Sequence, residues 1–327
     1  MLPAPVHFSQ GIPAPALQSL PAPSPDRPLP SSKPSLLHGQ VIAVHGRHYL
    51  VELTDGEILA CFPRGKKSLM ACGDRVMVER TAQGQGVVEA VDPRRTLLYR
   101  SDQYRQKLIA ANATQMVIVL AVVPSFYADL LNRCLAAAEH QGIRALIVLN
   151  KVDLVAEGAR ALDSLKLYAS LGYTVLPLTA KRDVGPLREF LAGQSSVLVG
   201  QSGMGKSTII NAFIPDAAAT VGDISIALDS GRHTTTHARL YRLDADSSLI
   251  DSPGMQEFGL QHLTAWDLEH AFIEFRPQAG KCKFNDCRHR GEPGCAIEAA
   301  CERGEIDRQR LEIFRKLRTE IGAAKKY

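Results

Sequence analysis

The stretch Gly200-Gln201-Ser202-Gly203-Met204-Gly205-Lys206-Ser207 constrains the fold more than any other part of the chain. It reads G-x-x-x-x-G-K-S, follows the apolar run 196–199 and leads into the helix-forming segment 207–213. Such a loop needs a buried strand before it and a helix after it. Its glycines turn backbone N–H groups inward, and the helix N-terminus adds the positive end of its dipole. The expected fold is therefore α/β, with a parallel sheet whose loop 200–208, Thr208 included, cradles a nucleoside triphosphate. Lys206 is placed to reach the β- and γ-phosphates and the Ser207 hydroxyl to ligate magnesium. The plainer alternative, a glycine-rich turn without a ligand, leaves the flanking strand and helix unexplained.

A second constellation lies upstream. Residues 143–149 read as a buried parallel strand that runs into Asn150-Lys151-Val152-Asp153, an N-K-x-D sequence. The Asp153 carboxylate can accept from the ring N–H and the exocyclic amine of guanine; adenine offers no such donor pair and would leave the carboxylate unpaired. Asn150 would hold the loop and the base edge, and the Lys151 stem would cover the ring. A lone N-K-x-D is a weak signal, but a further strand at 173–178 ends in Thr179-Ala180-Lys181, which matches the loop whose backbone N–H supports the guanine oxygen.

Downstream, residues 247–251 form a short strand ending in Asp251, continued by Ser252-Pro253-Gly254. Asp251 suits the outer shell of magnesium and the Gly254 N–H suits the γ-phosphate. Between loop and strand, Gly231-Arg232-His233-Thr234-Thr235-Thr236 reads as a switch whose threonine closes on magnesium. Thr235 is favoured without excluding Thr234 or Thr236, and an ordinary strand entry is the alternative. The guanine-reading motifs thus precede the phosphate loop, an order rotated relative to the usual one. Rotation is compatible with a doubly wound sheet, whose site is built by loops at the strand C-termini and whose chain ends often lie close together. Residues 115–123 would supply the first strand.

Cys282-x4-Cys287-x-His289-x5-Cys295 places three thiols and an imidazole at a spacing suited to one tetrahedral zinc, structural because the protein fills all four positions. With seven cysteines and no apolar leader, a disulfide framework is disfavoured and the cytoplasm is expected. Cys301 could compete as a ligand, while Cys61, Cys72 and Cys134 read as small core residues. Residues 263–268 and 306–321 read as helices, the latter with an arginine-rich face extended by Lys325 and Lys326 that is either simply solvated or meets RNA phosphate.

Residues 1–35 hold ten of the 19 prolines and read as a disordered tail. Alternating runs at 39–44, 48–53, 57–61, 75–79 and 86–91 suggest a small closed barrel, an OB-fold or else an SH3-like barrel. Arg64, Lys66 and Lys67, with Arg94, Arg95 and Arg100, would give it one basic edge. The net charge of +4 does not by itself indicate nucleic acid, so that inference rests on local clusters. No run is long enough to span a membrane.

Taken together, the segments 150–153, 200–208, 231–236 and 251–254 and the Cys282, Cys287, His289, Cys295 set resemble the ribosome small subunit-dependent GTPase A family, circularly permuted GTPases of bacteria. The resemblance covers roughly residues 37–300 and implies a tail at 1–35, an OB-fold barrel at 36–97, a permuted P-loop GTPase domain at 98–260 and a helical zinc domain at 261–327. It further implies a monomer that takes GTP, GDP and magnesium, binds the small ribosomal subunit and its rRNA late in assembly, and hydrolyses GTP when the subunit stimulates it. Ser252 stands where the family usually has threonine. Met255 occupies the place of a water-orienting glutamine and cannot polarise water. His233 is the candidate for that role beside Lys206, its alternatives being to shape the switch or to touch RNA. Two other classes stay open: a P-loop ATPase or kinase, and a GTP-binding regulatory module without rRNA contact.

Overall fold

The strand Gln115–Ala121 (β8) is buried along its whole length, as a central parallel strand covered on both faces must be. The computed structural model describes residues 35–65, 69–101, 106–215, 238–252 and 259–324. Within them, β8 is flanked by β9 (Arg144–Asn150) and β11 (Ser195–Val199), and the sheet order is β10-β9-β8-β11-β13-β12. Here β10 is Thr174–Leu178, β12 Arg239–Arg242 and β13 Ser248–Asp251; all pairings are parallel except β12 with β13.

Alternation along β8 sorts its side chains between two cores. Ile118 and Leu120 face one side with the helices α1 (Ala128–Gln141) and α2 (Val155–Ser170). Val117 and Val119 face the other, with α3 (Gly185–Leu191) and α4 (Lys206–Phe213). The result is a three-layer doubly wound sheet with β8, β9, β10, β11 and β13 all ending at one edge, where ligands of such folds sit.

Five N-terminal strands close a barrel: β1 (Leu36–His45), β2 (His48–Leu53), β3 (Ile58–Pro63), β4 (Arg75–Ala82) and β5 (Gln85–Val91). The ladder runs β1-β2-β3-β5-β4 and returns to β1, with β3 and β5 parallel. This is the OB-type closure. Its core holds Val41, Val51, Leu59 and Val76. Two arginines of the expected basic edge are ion-paired. Arg64 pairs with Glu79 at 2.9 Å and Glu89 at 2.6 Å, and Arg94 is committed to Asp74 and the Leu69 carbonyl. Glu79 of β4, Glu89 of β5 and Asp74 just before β4 pair with these two arginines, while Lys66 and Lys67 lie outside the described residues.

A hairpin of β6 (Leu97–Ser101) and β7 (Gln106–Ala111) joins barrel to sheet. After the sheet come α5 (Ala265–Ala271), a 3-10 turn (Ile273–Gln278), α6 (Ala296–Glu302) and α7 (Arg308–Ala324). Thr264 and Asp267 form a capping box that starts α5. Phe272, Phe275 and Phe314 cluster with ring centroids 4.9–5.3 Å apart, in the same core as α1. No helix among the described residues is long and apolar enough to cross a membrane. The proline-rich residues 1–34 lie outside the description.

Candidate functional site

The chain leaves β11 at Gly200, whose φ is +147°; a Cβ there would stand 2.3 Å from the Val119 carbonyl oxygen. Gly205, at φ +99°, would drive a Cβ to 2.2 Å from Asn150 Nδ2. Both positions therefore demand glycine, one against β8 and one against the end of β9. Met204 is buried and anchors the loop in the core, while Ser207 stands exposed on the first turn of α4 beside Thr208.

Lys206 folds over its own loop, donating to the carbonyls of Gly200 at 2.6 Å and Gln201 at 3.0 Å. Burial pushes its pKa down, and Asp251 opposes the shift. Burial likewise pushes Asp251 up, and Lys206 opposes that. Two desolvated opposite charges thus face the same space, a setting suited to phosphate against the lysine and a divalent cation against the carboxylate. Asp251 is held at this edge because Leu198 of β11 registers with it and the Ser252 hydroxyl donates to the Leu198 carbonyl at 2.7 Å.

Asn150 ties the three predicted loops together. It is 3% exposed. Its Nδ2 donates to the Met204 carbonyl at 3.0 Å, and its Oδ1 accepts from the N–H groups of Ala180 at 3.0 Å and Lys151 at 2.9 Å. Asn150 is thus a post for the loops, and in this structure the Ala180 N–H is turned toward it. Lys151, at φ +64°, reaches the carbonyls of Val123 at 2.6 Å and Gly203 at 2.8 Å, crossing from the end of β8 to the phosphate loop. Nothing in the sequence marked Val123 for that contact, since a carbonyl partner leaves no residue signature. Asp153 is exposed beyond Val152 and accepts the Thr179 hydroxyl at 3.4 Å; Lys181 is exposed beside them. His233, Thr234, Thr235, Thr236, Gly254, Met255 and Gln256 lie outside the described residues.

The second site is the cysteine–histidine cluster. One ligand atom from each of Cys282, Cys287, His289 and Cys295 lies within 4.8 Å of every other. His289 Nδ1 is 3.6 Å from the sulfurs of Cys282 and Cys287 and 3.3 Å from that of Cys295. Tetrahedral ligands at the usual Zn–S and Zn–N lengths stand about 3.5 Å apart, so the donor set fits one such ion. Burial pushes the Cys287 thiol up to about 12, so a thiolate here calls for a cation. Cys301 is buried but is not part of this set, so it does not compete as a ligand. His289 Nε2 lies 3.1 Å from Glu269 of α5, a partner the spacing did not reveal.

The RsgA GTPase family model matches residues 91–261. The chain belongs to the RsgA GTPase family. It is 57% identical over 294 residues to the small ribosomal subunit biogenesis GTPase RsgA of Nitrosospira multiformis, covering 90% of this chain and 93% of that one. It is 53% identical over 284 residues to the protein of the same name from Nitrosomonas europaea, covering 86% and 90%. Among solved structures, YjeQ from Thermotoga maritima superposes with a TM-score of 0.69 at 29% identity, covering 88% of this chain and 99% of that one. YloQ, described as a circularly permuted GTPase, shares the fold with a TM-score of 0.65 at 24% identity, over 88% and 96%. The rotated motif order is therefore a property of the fold.

Proposed function

We propose that this chain binds the small ribosomal subunit and hydrolyses GTP during late maturation of that subunit, with turnover stimulated by it. The observation that carries the nucleotide part is the Asn150 post, which joins the guanine loop, its supporting loop and the phosphate loop by three hydrogen bonds. The partner follows from the names of relatives that align over most of both chains.

In this reading Asp153 receives the guanine donors, with Asn150, Lys151, Val152, Thr179, Ala180 and Lys181 forming the base pocket. Loop 200–208 holds the phosphates, and Lys206 leaves its loop carbonyls to meet the β,γ-bridge. Magnesium would be held by Ser207 and Thr235 with Asp251 behind, and it supplies charge neutralisation of the phosphates. Gly254 would reach the γ-phosphate. His233 would orient the attacking water, because Met255 cannot.

The Cys282, Cys287, His289, Cys295 set would take one structural zinc, since a closed four-ligand set leaves no position for a catalytic water. The proposed division is a barrel at 36–97, a permuted GTPase domain at 98–260 and a zinc domain at 261–327, in a monomeric cytoplasmic protein. Co-sedimentation with small subunits tests the partner. Retention with a nonhydrolysable GTP analogue and release with GDP are expected; absence from the pellet with either nucleotide would leave a GTP-binding module without rRNA contact.

A further inference from the structure

The strand β12 is only four residues long, yet it touches both the nucleotide site and the barrel. In the β12–β13 ladder, Arg239 registers with Asp251, and on its other side it registers with Ala43 of β1. Asp251, Arg239 and Ala43 therefore lie in one lateral row across three neighbouring strands. At the far end of β12, Arg242 donates from Nε to Glu52 at 2.8 Å and from Nη2 to Gln40 at 2.7 Å. Gln40 in turn donates to the Gly73 carbonyl at 3.1 Å. The packing is shared as well: Ile42, Ala43 and Leu50 of the barrel belong to the same core as Leu240 and Ile250.

The far edge of a GTPase sheet would otherwise present unpaired N–H and C=O groups, a template for any partner that adds a strand. Here the chain covers that edge with its own barrel.

We infer that β12 couples the two sites: displacement of Asp251 with nucleotide state moves Arg239 and, through the Arg242 clamp on Gln40 and Glu52, shifts the barrel. Coupling of this kind is reciprocal, so whatever grips the barrel biases the nucleotide site by the same factor. The inference rests on loop 200–207 being a GTP site.

Amide exchange on the full chain tests it, comparing GDP with a nonhydrolysable GTP analogue in the presence of magnesium. The β1 amides, Leu36–His45, should exchange about 5-fold differently between the two states. Arg242→Glu, which sets two carboxylates against each other at an exposed pair, should abolish that difference. Nucleotide protection of residues 200–207 should persist in this variant, and Arg242→Glu combined with Glu52→Arg should restore the difference at β1. Equal β1 exchange in both states of the parent, or an undiminished difference in Arg242→Glu, would overturn the inference. Absence of any nucleotide protection at 200–207 would instead refute the GTP site and the coupling with it.

Discussion

Asp153 is exposed and touches the Thr179 hydroxyl at 3.4 Å, which leaves acceptor capacity for two donors from a base. Asp153→Asn replaces half of that capacity with an NH2 group facing the same donors. It should weaken GTP by about 10- to 100-fold, matching roughly 1.5–3 kcal/mol for a charged hydrogen-bonded contact, and leave weak ATP binding unchanged. Competition binding with both nucleotides reads this; equal weakening of GTP and ATP would mean that the carboxylate does not select the base. His262 is a residue-scale case of a different kind. Its ring lies against Tyr99 and His140, with centroids at 5.1 and 5.8 Å. Burial first, then the neighbouring His140, push its pKa below 6.5, with Asp267 pulling the other way. The unfolded chain therefore binds this proton at a higher pH than the folded one. Stability rises with pH up to about 6.5 and is flat above, so it is lost as pH falls through that value. The thermal midpoint of His262→Phe should accordingly drop less than that of the parent between about pH 7 and pH 5.5, and parallel curves would rule out His262 as the group.

At the scale of elements, Arg310 fastens α7 to the rest of the molecule. It is 1% exposed, donates to Glu274 at 2.6 and 2.9 Å and to Asn132 of α1, and lies over the Phe272 ring at 4.2 Å. Arg310→Ala strands a buried carboxylate and should cost about 3–5 kcal/mol in denaturant unfolding, while Arg310→Met with Glu274→Leu should recover most of it. A loss below about 1 kcal/mol would show that water reaches the pair. The cysteine–histidine cluster is likewise tied to α5. Glu269, by accepting from His289 Nε2, fixes the tautomer that presents Nδ1 to the sulfurs. Glu269→Gln should weaken zinc about 10- to 100-fold in chelator competition with nucleotide affinity unchanged, and unaltered zinc affinity would contradict this role. The strands that escaped sequence reading are the ones placed by tertiary contact. Arg239–Arg242 sets only Leu240 and Tyr241 between two arginines, too short a pattern to mark a strand, so its pairing with β13 and β1 fixes it. By contrast, Gln115–Ala121 and Arg144–Asn150 announce themselves, because burial on both faces admits little but aliphatic residues.

Across the whole molecule, rotation of the chain order leaves the site intact because β8, β9, β10, β11 and β13 still end at one edge. The loop 200–207, the N-K-x-D segment and the cysteine–histidine cluster were legible as local motifs because each sets particular residue types at fixed offsets, and the structure gathers them. For Asn150 the sequence suggested a hold on its own loop and the base edge, and its hydrogen bonds extend that hold to three loops. The pairing of Arg64 and Arg94 was not legible, because their carboxylate partners Asp74, Glu79 and Glu89 are brought to them by barrel closure. In the proposed mechanism turnover depends on a partner, because the sequence places Met255, which offers no group to orient water, where a glutamine would stand. GTP hydrolysis by the purified chain, timed with and without small ribosomal subunits, tests this most directly. The account predicts a slow basal rate raised at least about 10-fold by the subunits. Equal rates in the two conditions would contradict it.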